Sequence, residues 1–185
     1  RDNSTISLLA LDVTAEADMK QIAADMNRKI DILVCNAGVL NAYGGLEDPE
    51  HHSRAIESVL MTNIAGVFFT ARSFLPHLLK PINGDRHPSG MTGKIAVISS
   101  IMGSQERASS NAPIYRASKA AATNIARTLA VELAPRGIAV GAYHPGWVRT
   151  DMGGDAADVA PVESAAGLLE RFDALDLATT GIYES

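Results

Sequence analysis

Tyr115 and Lys119 stand four residues apart in the run NAPIYRASKAAATNIARTLAVELAPRG. At about 100° per helical residue, positions i and i+4 lie about 40° apart, so this phenol and ammonium would share one helix face. A free tyrosine, with a pKa near 10, exchanges protons poorly at neutrality. A neighbouring cation stabilises the phenolate and lowers that pKa, which makes tyrosine usable as a general acid or base. The bland alternative is a solvated helix face, on which such a pair does nothing. What weighs against it is a set of residues closing the apolar runs elsewhere: Asp12, Asn36-Ala37-Gly38, Ser99-Ser100 and Pro145-Gly146. Singly these read as a helix cap or as turns. Taken with Tyr115 and Lys119, they read as one site.

The elements that must position this set follow from periodicity. Pro113 suits a first helical turn, residues 114–134 contain no strong breaker, and Pro135 with Gly137 supplies a stop, so one long helix is expected. Elsewhere short aliphatic runs alternate with helical patterns: a strand at 6–13, a helix at 16–28, a strand at 32–35 and a helical stretch at 49–79. A polar loop follows at 81–92, then strands at 94–99 and 138–143, a helix at 162–175 and a terminal run at 181–183. Continuous apolar strands separated by helices indicate a parallel sheet covered on both faces, an α/β, doubly wound, mostly parallel fold. Its ligand sits beyond the carboxyl ends of the strands, where the set above falls.

The bulk properties agree. The chain has 185 residues, 46% hydrophobic and 20% charged, with net charge −5, enough for one core and one domain. Mild acidity without a basic cluster argues against nucleic acid or an anionic membrane as partner. Cys35 is the sole cysteine, so no internal disulfide is possible. No apolar run approaches the ~20 residues of a membrane span, and a cytoplasmic setting is expected. His144 has no companion at metal-ligand spacing, so no metal site is expected, and His51 and His52 read as solvent-facing.

The motifs LDVT (11–14), CNAG (35–38), TNIAG with Asn63, ISS with Ser100, YRASK (115–119) and HPGWVRTDM (144–152) occur in this order. Together they resemble the short-chain dehydrogenases/reductases, and HPGWVRTDMGG is most similar to the subgroup with C-factor and sniffer-type carbonyl reductases. The resemblance implies a catalytic tetrad of Asn63, Ser100, Tyr115 and Lys119, NAD(P) as cofactor, and a small carbonyl or alcohol substrate. It implies that Asp12 and Val13 meet the adenine, that Asn36, Ala37 and Gly38 run along the dinucleotide, and that Pro145, Gly146, Val148 and Thr150 hold the nicotinamide end. Tyr115 and Lys119 also face the cofactor in this family. Asn63, amid apolar neighbours, needs a partner, and two readings stand: an amide holding a water near Lys119, or an amide bracing its helix. Cys35 replaces the more usual asparagine. The segment 103–112 is a candidate wall of the substrate pocket, and 153–159 a modest lid. A homodimer or homotetramer is implied.

The resemblance also exposes an absence. No glycine-rich turn of the G-x-G-x-x-G kind opens the chain. By analogy, residues 1–185 form a single Rossmann-like dinucleotide-binding catalytic domain lacking the first two strands. In the usual order 3-2-1-4-5-6 this leaves Leu33 and Val34 on an exposed edge. Either residues precede Arg1 in the protein, or the run 6–13 lies beside 32–35, with the helix at 16–28 as crossover. NAD and NADP cannot be told apart, because the discriminating charge belongs to the second strand. The alternatives to an enzyme are a non-catalytic dinucleotide-binding or regulatory protein and an inactive fragment.

Overall fold

The computed structural model describes residues 6–80 and 90–185, so most of the loop expected at 81–92 lies outside the described residues. Three apolar runs become strands: β1, Ile32–Cys35; β2, Gly93–Ile98; and β3, Ile138–Tyr143. A two-residue β4, Tyr183–Glu184, completes a parallel sheet of order β1-β2-β3-β4. Cys35 pairs with Val97 and Ile98 with Tyr143. That register brings the residues after the strands, Asn36, Ser99 and His144, to one edge of the sheet.

The strands read as unbroken apolar runs because both faces are covered. Ile95, Val97, Ile138 and Val140 meet α3, Gly66–Leu78, and α4, Pro113–Leu133. Ala96, Ile98 and Tyr143 face the other way, onto α5, Pro161–Ala174, whose Phe172 stands edge-on to Tyr143 at 5.0 Å. Helices on both faces make the fold doubly wound, as expected.

The stretch expected at 49–79 is helical from Ser53, but it is interrupted. Helix α2, Ser53–Leu60, passes into a π-helical turn, Met61–Ala65, before α3 begins. Such turns concentrate at functional sites, and this one carries Asn63. By length and composition alone, residues Ser53–Leu78 also suffice to cross a membrane, although no single unbroken apolar run in them is that long. Its apolar residues Val59, Val67, Ala71, Phe74 and Leu78 are core.

The strand expected at 6–13 is not formed. Residues 6–12 pair with no strand, and Ile6 and Leu8 are 81% and 92% exposed. Val13 seats instead on the start of α3, close enough that a Cβ at Gly66 would lie 2.8 Å from its Cγ2. Helix α1, Glu16–Asp25, then packs through Met19 and Ala23 against Phe74 of α3, so it makes no crossover between adjacent strands. Leu11 and Val13 face Leu33 and Val34 across a cavity of ≈ 290 Å³. Val34, on the edge strand β1, is 42% exposed.

Candidate active site

The first turns of α4 turn Tyr115, Ser118, Lys119 and Ala122 inward. Tyr115 is 8% exposed and Lys119 4%, which removes the solvated-face reading of the pair. The Lys119 Nζ donates to the Ile98 carbonyl at 2.9 Å and lies 5.7 Å from the Tyr115 ring centroid, within cation–π range. Burial lowers its pKa to about 8. The Tyr115 phenol moves the opposite way: burial raises its pKa, and a hydrogen bond with the Ser100 side chain only partly offsets the rise. The net direction is thus opposite to the lowering expected from the Lys119 cation. The ammonium lies against the ring and gives its hydrogen bond to main chain, so burial dominates at the phenol oxygen.

Ser100 reaches the phenol because β2 ends in a tight 3₁₀ turn, Ile101–Gly103, with the Ser100 Oγ accepting from the Met102 N–H at 3.1 Å. The turn is pressed on α4: a Cβ at Gly103 would lie 2.7 Å from the Ala120 nitrogen and the Lys119 carbonyl carbon. Ser99 Oγ donates to the Lys119 carbonyl at 3.0 Å and pairs with Thr123 Oγ1 at 2.7 Å. Strand end and helix are thus stitched together around Ser100, Tyr115 and Lys119.

Asn63 is 1% exposed, and its amide is used on both sides. Oδ1 accepts from the Val39 N–H at 2.8 Å, while Nδ2 donates to the Val39 carbonyl at 3.0 Å and to Ser118 Oγ at 2.9 Å. Ser118 Oγ in turn donates to the Tyr115 carbonyl at 2.7 Å. These are the bonds of a brace. They hold the turn after β1 so close that a Cβ on Gly38 would lie 3.2 Å from Lys119 Nζ and 3.5 Å from Asn63 Oδ1.

The remaining expected positions fall into two groups at the same edge of the sheet. Val13, Asn36 and Ala37 line the ≈ 290 Å³ cavity; Asp12 does not. Asp12 is exposed, and its Oδ1 accepts from the Thr14 N–H at 2.8 Å and hydroxyl at 2.7 Å, bonds that hold its carboxyl below the usual range. Pro145, Gly146, Val148 and Thr150 follow β3. Gly146 has φ +86°, the Pro145 carbonyl accepts from Ser164 of α5 at 2.6 Å, and Thr150 Oγ1 accepts from the Gly153 N–H at 3.2 Å. The expected lid at 153–159 is tied down by Arg149, whose Nη1 donates to the Ala157 and Asp158 carbonyls at 2.8 and 2.9 Å.

Among known families, the model of the short chain dehydrogenases matches residues 1–159. The chain belongs to this family. C-signal of Myxococcus xanthus is 31% identical over 155 residues, covering 83% of this chain and 87% of its own length. An uncharacterized NAD-dependent oxidoreductase of Mycobacterium tuberculosis is 31% identical over 92% of this chain, which spans 58% of that protein. Of the solved structures, NADPH-bound carbonyl reductase from chicken fatty liver superposes with TM-score 0.81 at 30% identity, covering 94% of this chain and 71% of that one. Carbonyl reductase Sniffer of D. melanogaster gives 0.83 at 26%, covering 95% and 74%. The resemblance to C-factor and sniffer-type members is borne out.

Other residues of this dehydrogenase-family chain are quieter. Burial raises the Cys35 thiol to about 12, and its Sγ lies 4.0 Å from the Val67 carbonyl, as suits a small buried hydrophobe. Burial lowers the His144 pKa. His52 is exposed as expected but caps α2, its Nδ1 accepting from the Ala55 N–H at 3.3 Å. The bracing roles of Ser99, Thr123, Gly103 and Ser118 were not read from the sequence. Small and hydroxyl residues are common at strand ends and on helices, and only the packing shows what these ones touch.

Proposed function

We propose that this protein is an NAD(P)-dependent carbonyl reductase or alcohol dehydrogenase, acting on a small carbonyl or alcohol substrate, with Tyr115 as general acid and base. The observation that carries the reading is the buried phenol of Tyr115, beside the Ser100 side chain and one helical turn from Lys119. The named cofactors and activities of the mycobacterial, chicken and fly proteins support it. Residues 1–185 would act as a single Rossmann-like dinucleotide-binding catalytic domain.

The residues present fit a dinucleotide. Asn36 and Ala37 are exposed at the carboxyl end of β1, and Gly38 lacks the side chain that would crowd Lys119. Asp12, Val13, Asn36, Ala37 and Gly38 would hold the adenosine half, and Lys119, Pro145, Gly146, Val148 and Thr150 the nicotinamide half. When bound, the nicotinamide supplies or accepts hydride. The chain's residues manage the oxygen. In reduction the Tyr115 hydroxyl gives its proton to the substrate oxygen; in oxidation the phenolate takes it back. The Ser100 hydroxyl donates to the same oxygen, a bond that strengthens as negative charge develops. The Lys119 ammonium offsets the charge left on the phenolate, and Asn63 keeps the turn after β1 in place beside it.

We further infer a homodimer or homotetramer, supported by exposed apolar residues on the outer helix faces, Leu60, Phe68 and Val131. Calorimetric titration with NADH and NADPH, followed by turnover on aldehydes and ketones, tests the functional reading. Binding with turnover is expected. Failure to bind either cofactor would remove the reading, and binding without turnover would favour a regulatory dinucleotide-binding protein.

A further inference from the structure

Among the described residues, Ala112 is the only non-glycine with positive φ, at φ 46° and ψ 49°. A side chain there is strained, and such strain persists only where the surroundings impose it. Ala112 is fully buried, sits directly before α4 and lies three residues before Tyr115. Its N–H points out of the helix and is shared between the Tyr43 and Gly44 carbonyls, at 2.9 and 3.0 Å, while its own carbonyl accepts from the Arg116 N–H at 2.9 Å. The start of the catalytic helix is therefore hooked to a loop almost seventy positions earlier in the chain.

That loop is built around one residue, Gly44, held through both of its peptide groups. The Gly44 N–H donates to Asp48 Oδ2 at 2.8 Å, and the Gly44 carbonyl accepts from His51 Nε2 at 3.1 Å, besides the bond from Ala112. Asp48 also accepts from the Glu50 N–H at 3.0 Å. Both glycines leave room for close neighbours. A Cβ at Gly44 would fall 2.4 Å from the Asp48 carboxylate, and one at Gly45 would fall 3.0 Å from the Ser110 carbonyl. His51, expected to face solvent, is half-buried and lines a small cavity with Ala42, Ile56, Ile114 and Tyr115.

We infer that Asp48 and His51 are positioning residues of the site: they fix the two peptide groups flanking Gly44, whose carbonyls hold Ala112 in its strained conformation and so set the angle at which α4 presents Tyr115 to Ser100. This rests on the proposed role of Tyr115. The test uses the full protein with His51→Ala, Asp48→Ala, the donor-preserving His51→Gln, and Tyr115→Phe as control. Two quantities are read: amide exchange at Ala112 and Leu129 by NMR, and kcat and KM for carbonyl reduction.

His51→Ala and Asp48→Ala should speed exchange at Ala112 at least tenfold without changing Leu129. They should lower kcat about tenfold with a smaller change in cofactor KM, and His51→Gln should restore both quantities. Unchanged exchange at Ala112 would overturn the inference, as would faster exchange with unaltered kcat. Should Tyr115→Phe be as active as the parent, the role of Tyr115 itself fails, and the positioning role falls with it whatever the exchange shows.

Discussion

Lys119 carries a charge that the fold disfavours. Burial lowers its pKa from the usual 10.5 to about 8, so the folded protein holds this proton less tightly than the unfolded chain does. The charged amine therefore costs stability below about pH 8, and the cost fades as pH rises from about 8 to 10.5, a difference of about 3 kcal/mol. Urea unfolding at pH 7 and pH 10.5 should show Lys119→Met more stable relative to the parent at pH 7, with the advantage shrinking by roughly that amount at pH 10.5. Equal differences at the two pH values would contradict the burial of a titrating amine. The slope is the readout, because losing the bond to Ile98 shifts both values alike. At this scale the sequence was informative about identity and less so about environment. Spacing on one helix face pointed to Tyr115 and Lys119, but the sign of the phenol's shift depends on burial, which spacing does not contain. Likewise Asn63 plainly needed a partner, yet Val39 and Ser118 lie 24 and 55 positions away.

The elements meet at close quarters, and two substitutions probe the contacts. Gly103→Ala would drive a methyl into the backbone of α4 and push the 3₁₀ turn after Ser100 outward. It should cost about 1–3 kcal/mol in chemical denaturation and lower turnover with it; a neutral effect would show that the turn is not pressed on the helix. Asn63→Ala leaves both Val39 backbone groups without their partner and should cost on the order of 2–3 kcal/mol by the same measurement. A loss under 0.5 kcal/mol would mean that the brace is weak. The strands at 32–35 and 138–143 were legible to the residue and the long helix to within one, because each is a continuous apolar run or a breaker-free helix bounded by Pro and Gly. The run 6–13 looked the same but is no strand. A strand needs a neighbour's hydrogen bonds, and Val13 anchors the segment on α3 rather than beside β1. The π-helical turn at Asn63 gave no signal in composition, because one extra residue in a helix leaves the apolar pattern almost unchanged.

For the whole molecule, the parallel sheet places the ends of β1, β2 and β3 at one edge; Asn36, Ser100 and Pro145 follow those strands, Tyr115 and Lys119 sit on α4, and Asn63 sits on the π-helical turn before α3. That arrangement could be foreseen, since it follows from strand order and from the polar residues closing each apolar run. Assembly depends on surfaces instead. If the outer faces of α3 and α4 bury against a second copy, Phe68→Glu should shift sedimentation toward the monomer, and an unchanged profile would place the interface elsewhere. The account as a whole stands on one proton. NADH and NADPH oxidation should be followed across a panel of aldehydes and ketones for the parent protein and for Tyr115→Phe, with cofactor binding measured on both. The account predicts turnover by the parent, equal cofactor binding, and a loss in kcat of at least about 10² in the variant. Equal kcat in the two proteins would contradict it.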